Sequence, residues 1–148
     1  MTRDMTDRWA VFRASALGDV VLATGVLSYW NRTRDARFTF ITRNSLAPIL
    51  AGHPAVDEVI GIPQHDLYGQ DWWRASRRIA ADCAGMGFID LHQNLRSLVL
   101  ALRWEGSVRR SAKMGVTRRL YRRFPVGLLE ERLAATNVPQ RYALALDS

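Results

Sequence analysis

The sequence predicts an α/β domain built on a mostly parallel sheet with helices on both faces. Three observations lead there. Short β-rich apolar runs alternate with helix-like stretches along the chain, the pattern of consecutive βαβ units. The first run breaks into a small-residue turn, Arg13-Ala-Ser-Ala-Leu-Gly-Asp19, and restarts as an apolar helix. A strand, a glycine-containing turn and a helix start in that order form the ligand-facing corner of an open sheet. Finally, the chain has 148 residues, 48% of them hydrophobic, which suits one domain with a proper core.

The elements follow in order. Trp9–Phe12 is a continuous apolar run and reads as a buried strand, with a helix from about Val20 to Asn31. Arg37–Thr42 alternates and is rich in β-formers, giving a second strand. Asn44 caps a short helix that presents Leu46, Ile49 and Leu50 and ends at Gly52 and Pro54. Val56–Ile62 is a third strand, and Pro63–Gln70 a loop. Asp71 caps a helix carrying Trp72, Trp73, Ile79 and Cys83, which stops near Gly85-Met-Gly87. Phe88–Leu91 is a fourth strand and His92-Gln-Asn94 a turn. Asn94 caps a helix with Leu95, Leu98, Val99 and Leu102 inside. Ser107–Ser111 is a fifth strand, Thr117 to about Arg123 a short basic helix, and Arg141–Leu146 the start of another helical pattern.

Ligands of such sheets bind at the carboxyl ends of the strands, where the turns Ser15–Asp19 and His92–Arg96 both fall. Asp19 is the ionisable side chain of the first turn. On local sequence alone its simpler reading is a helix N-cap contributing about 1 kcal/mol, the other being a reactive carboxylate. The turn is no phosphate loop: it lacks both Gly-x-x-x-x-Gly-Lys-Ser/Thr and Gly-x-Gly-x-x-Gly.

Composition narrows the partners. The net charge is +7, and Lys113 is the only lysine among the basic residues. Two readings of the arginine usage stay open: codon bias in a GC-rich genome, or selection of arginine for bidentate contact with phosphate or carboxylate. Its distribution is uneven. Arg96, Arg103, Arg109, Arg110, Lys113, Arg118, Arg119, Arg122 and Arg123 face only Glu105 over the same stretch, which points to a polyanionic partner. No apolar run is long enough to span a bilayer. The charged N-terminus has no signal-peptide pattern, and a single cysteine, Cys83, reads as a packing residue, so a cytoplasmic location is expected.

Three segments stand in order and carry a family resemblance: Arg13-Ala-Ser-Ala-Leu-Gly-Asp-Val-Val-Leu22, Pro54-Ala-Val-Asp-Glu-Val-Ile60 and Ile89-Asp-Leu-His-Gln-Asn-Leu-Arg-Ser97. With the weaker Val108-Arg-Arg, Met114-Gly115 and Arg141-Tyr142, they resemble the N-terminal half of the heptosyltransferases, ADP-heptose:lipopolysaccharide glycosyltransferases of the GT-B fold. The resemblance runs from about Trp9 to the end. It implies a single Rossmann-like acceptor-binding domain over residues 1–148, with the C-terminal nucleotide-sugar domain absent. The family's catalytic aspartate falls on Asp19, which becomes the general base of an inverting transfer from a nucleotide-sugar to a lipopolysaccharide core sugar. Ser15, Gly18, His92, Asn94, Arg96, Arg118 and Arg119 become candidates for acceptor binding.

For the second turn, alternatives stay open. Asn94 is a cap or a ligand contact, His92 a hydrogen-bonded turn histidine or a site residue, and Arg96 a contact for phosphate or carboxylate or a solvated surface residue. The resemblance implies no metal, in keeping with the lack of an Asp-x-Asp motif, and no cofactor; the donor, ADP-heptose or a similar nucleotide-sugar, is expected on the missing domain. The expected partner is an anionic glycolipid, the lipopolysaccharide inner core, with peripheral contact at the inner face of the cytoplasmic membrane. A different class of function is a non-catalytic module that binds an anionic glycolipid or a protein partner. Nucleic acid is disfavoured, since no recognition motif or interleaved exposed aromatics accompany the arginines.

Overall fold

A computed structural model of the chain describes residues 7–110. It contains strands β1 (Arg8–Phe12), β2 (Arg37–Arg43), β3 (Val56–Ile62), β4 (Gly87–Asp90) and β5 (Val108–Arg110). Helices α1 (Leu17–Arg34), α2 (Gly69–Asp82) and α3 (Leu95–Leu102) connect them, with 3-10 turns at Asn44–Ile49 and Gln64–Leu67. The strands form one sheet in the order β3-β2-β1-β4-β5, and every pairing is parallel. This is the expected Rossmann-like α/β arrangement.

The sheet is covered on both sides because side chains alternate along each strand. On one face, Trp9 and Val11 of β1 join Phe38, Phe40 and Ile89 under Val20, Ala23, Leu27 and Trp30 of α1. On the other, Ala10 and Phe12 join Ile41 and Phe88 under Trp72, Ala75 and Ile79 of α2 and Leu100 of α3. The inner strands therefore read as continuous apolar runs, as strands buried on both faces do. Cys83 is buried in the second cluster, and burial pushes its thiol up to about 11, so it packs as an unreactive thiol.

Several boundaries differ from the sequence-based expectation. Helix α1 starts at Leu17 rather than Val20, with Ala16 as its N-cap. Asp19 is thus not the cap but the third residue of the helix. Tyr68, not Asp71, precedes α2 as the N-cap, and Asp71 lies in its first turn. The expected loop before α2 contains a 3-10 turn, and the short helix after Arg43 is 3-10 as well. On α3 Ser97 and Leu100 are buried and Val99 packs against the core as expected, whereas Leu98 is exposed and Leu95 and Leu102 are each 78% exposed. The predicted helix from Thr117 and the pattern at Arg141–Leu146 lie outside the described residues.

The topology places the functional corner. From β1 the chain proceeds outward to β2 and β3, then returns to the other side of β1 with β4 and β5. The order reverses between β1 and β4, and a crevice opens at the carboxyl ends of strands flanking such a switch point. The turn from β1 into α1 and the turn from β4 into α3 meet there. Leu91 donates its backbone N–H to Phe12 at 3.2 Å, and Arg13 donates to Ile41 at 3.1 Å.

Candidate functional site

The corner is built from the residues that leave β1 and β4. Arg13 follows β1 directly and crosses to the second turn, where its Nη1 donates to the Leu91 carbonyl at 2.7 Å. Its Nη2 pairs with Asp19 Oδ2. One guanidinium therefore holds the carboxylate and ties the two turns together. The Arg13 side chain is 15% exposed and that of Asp19 32%, so the pair is shielded but open on the carboxylate side. Oδ1 of Asp19 is the oxygen that Arg13 does not engage.

The start of α1 contributes a second feature. The Ala16 carbonyl accepts from Val20 at 3.0 Å, and no side chain caps the helix. Its first backbone N–H groups face the corner with the positive end of the helix dipole behind them, a setting that favours negative charge. Gly18 is exposed, and a Cβ there would meet nothing within 4 Å. It needs no left-handed backbone, since it lies within the helix; its effect is to leave the backbone bare at the corner. Ser15 is half-buried beside it.

The second turn is fixed more tightly. Asp90, fully buried at the end of β4, accepts the backbone N–H of His92 at 2.9 Å and of Gln93 at 2.8 Å. Its other oxygen accepts from Arg110 Nε at 3.0 Å. Asn94 is the N-cap of α3: its Oδ1 accepts from Ser97 N at 2.9 Å, and Ser97 Oγ accepts from Asn94 N at 3.0 Å, a reciprocal capping box. The cap reading of Asn94 is therefore realised.

His92 packs edge-on against Phe12, with ring centroids 5.7 Å apart. Burial and the neighbouring Arg13 lower its pKa to about 4, with Arg96 acting in the same direction and Asp90 and a backbone contact from Ser15 opposing them. The imidazole is consequently neutral at physiological pH. The ring makes a backbone hydrogen bond with Ser15, as a hydrogen-bonded turn histidine does, while its Nδ1 is buried with no hydrogen-bond partner. Arg96 reaches backwards: its Nε donates to the Leu67 carbonyl at 2.7 Å, and its guanidinium lies 4.6 Å from the centroid of the Tyr68 ring.

The structure thus brings Ser15, Gly18, Asp19 and His92 to one corner, with Asn94 in the adjoining turn and Arg96 committed on one side to the start of α2. Arg118 and Arg119 lie outside the described residues. Sequence reasoning missed Arg13 and Asp90 as site-building residues. Both had a legible signal: Arg13 directly follows the first predicted strand, and Asp90 is the one charge inside the otherwise apolar fourth, Phe88–Leu91. Among the described residues, no group of three or more His, Cys, Asp or Glu could hold a metal ion, and no helix is long and apolar enough to cross a membrane.

Solved structures share this fold. A glycosyl transferase family 9 protein from Veillonella parvula superposes with a TM-score of 0.68 at 20% identity, over 99% of this chain and 42% of that one. The E. coli heptosyltransferase WaaC with ADP gives a TM-score of 0.63 at 15% identity, over 93% of this chain and 46% of that one. WaaC with ADP-2-deoxy-2-fluoro heptose gives 0.52 at 16%, over 95% and 48%. The chain therefore spans less than half the length of these glycosyltransferases. No family model and no curated protein matches the sequence. The class defined at this point is a parallel α/β domain with the fold of one part of a glycosyltransferase. The particular likeness, at the level of fold, is to family 9 and heptosyltransferase structures.

Proposed function

We propose that this domain holds the sugar acceptor of an inverting glycosyltransferase resembling the lipopolysaccharide heptosyltransferases, with Asp19 as the general base. The observation that carries the reading is the Arg13–Asp19 pair beside the switch point of the sheet, in which the guanidinium engages one carboxylate oxygen and the Asp19 side chain stays 32% exposed. An acceptor hydroxyl attacks the anomeric carbon of the donor sugar as the bond to the diphosphate breaks. The nucleoside diphosphate leaves with the bonding electrons, and the hydroxyl proton passes to Asp19 Oδ1. Such proton transfer contributes about 10²–10⁴-fold. Arg13 keeps the carboxylate oriented, so little reorganisation is needed at the moment of reaction.

The donor, ADP-heptose or a similar nucleotide-sugar, binds in this reading to the part of the glycosyltransferase that this chain does not span. Ser15, Gly18, His92 and the Asn94 amide line the acceptor side. Arg96, Arg118 and Arg119 supply cationic groups for the anionic inner core of lipopolysaccharide, with the domain acting peripherally at the inner face of the cytoplasmic membrane. The test is sugar transfer by a two-domain protein that carries this domain. With ADP-heptose and an inner-core glycolipid, the expected product has an inverted anomeric centre and releases one ADP per transfer. Transfer with retention, or none with any nucleotide-sugar, contradicts the proposal.

A further inference from the structure

The carboxylate of Asp90 is completely buried, yet it takes no part in the proposed reaction. Burying a charge is costly unless it is paired and hydrogen-bonded. Here three donors satisfy it: the backbone N–H groups of His92 and Gln93 and the Nε of Arg110. Two of those donors belong to a turn whose conformation is unusual. Gln93 has φ 54°, in the left-handed region that non-glycine residues avoid. A residue held in such a conformation persists where its surroundings over-determine it, and such residues cluster at functional sites.

We infer that Asp90 is a positioning residue: its bonds to the His92 and Gln93 amides lock the β4–α3 turn and thereby hold the His92 ring in the corner, against Phe12 and the Arg13–Ser15 segment. The connectivity follows in sequence. Asp90 fixes the turn, and the same turn carries Leu91, whose carbonyl receives Arg13, which in turn holds Asp19. Loosening the turn therefore reaches the base through Arg13 and the acceptor face through His92. The role at the site rests on the acceptor-domain reading above, whereas the positioning of His92 does not.

The groups around His92 make a test with a decisive sign. Arg13 from the β1–α1 turn and Arg96 from α3 disfavour the imidazolium, as burial does, and the Asp90 charge favours it. If Asp90 acted on His92 by charge alone, its removal would lower the pKa of His92 still further. If it positions the ring, its removal releases the ring to solvent and the pKa rises.

The experiment is an NMR titration of His92 in the full 148-residue chain, with amide exchange of His92 and Gln93 measured alongside. In the wild type the ring should titrate at about 4, and both amides should be protected like those of the central strands. Asp90→Ala should move the midpoint up towards the ordinary 6.5. Asp90→Asn keeps an oxygen for both amides but not the charge, and Arg110, 42% exposed, can turn away from the new amide NH2 to water; the midpoint should stay at about 4 or below with protection retained. A fall on Asp90→Ala, or a rise on Asp90→Asn equal to that of Ala, overturns the inference. If Asp90→Ala does not fold, unprotected His92 and Gln93 amides in the wild type overturn it on their own. In acceptor titrations, Asp90→Ala should weaken glycolipid binding about tenfold or more, as for loss of buried hydrogen bonds, and Asn should restore it. Absence of any glycolipid binding by the wild type contradicts the proposed function, while the NMR result still decides the role of Asp90.

Discussion

Replacing Gly18 by Ala separates the two demands on the corner. Gly18 is the second residue of α1, exposed, with nothing within 4 Å of an added Cβ. In the free protein a methyl group there costs no packing and gains helix propensity, up to about 1 kcal/mol in a helix interior and about half that in a first turn. For a domain of this size that corresponds to roughly 1–2 °C in Tm. With an acceptor seated against the bare backbone, the methyl group overpacks the contact by about 1–3 kcal/mol. Since about 1.4 kcal/mol is tenfold in affinity, binding should weaken by roughly 5- to 150-fold. Thermal unfolding and calorimetric titration with inner-core glycolipid measure both effects on one sample. A higher Tm with unchanged affinity would refute the reasoning, because no ligand then approaches Gly18. A lower Tm would mean that α1 does not begin where it is placed.

Further outcomes are expected. Asn94→Ala should destabilise the domain by about 0.5–2 kcal/mol through loss of the α3 cap, read as a lower denaturant midpoint with unchanged slope. Arg118→Ala with Arg119→Ala should weaken glycolipid binding and flatten its salt dependence, while stability stays within about 0.5 kcal/mol; equal binding would return the arginines to codon bias. The 148-residue chain by itself should transfer no sugar and bind ADP weakly, so micromolar ADP affinity in a titration would place the nucleotide site here instead.

The inner strands β1, β2 and β4 were legible because they are buried on both faces and read as apolar or β-rich runs bounded by turn residues. The miss at α1 arises from a helix start without the usual signal. Ala16 offers no capping oxygen, so Asp19, three residues later, has the look of the cap. Its true partner, Arg13, is close in sequence, but only the folding back of the turn brings them together. The misjudged face of α3 has a different cause. Leu95, Leu98 and Leu102 form a plausible apolar stripe, yet the buried positions are Ser97, which closes the capping box with Asn94, and Leu100, while Arg96 is held on Leu67. The Asn94–Ser97 box is local to the helix start, whereas the Arg96–Leu67 contact is between elements and leaves little periodic trace. The links from Asp90 to Arg110 and from Arg13 to Leu91 likewise depend on strand order, which alternation alone does not specify.

The most direct test of the central claim is the turnover of Asp19→Asn in a two-domain protein carrying this domain. Asparagine at this position retains the shape of the side chain and can still accept from Arg13, and since Ala16 rather than Asp19 caps α1, the fold should persist. An amide cannot take the proton of the attacking hydroxyl. Turnover should fall by at least about a hundredfold, with acceptor affinity changed far less, because the missing interaction belongs to the transition state. Near-normal turnover with the amide in place would contradict the assignment of Asp19 as the base.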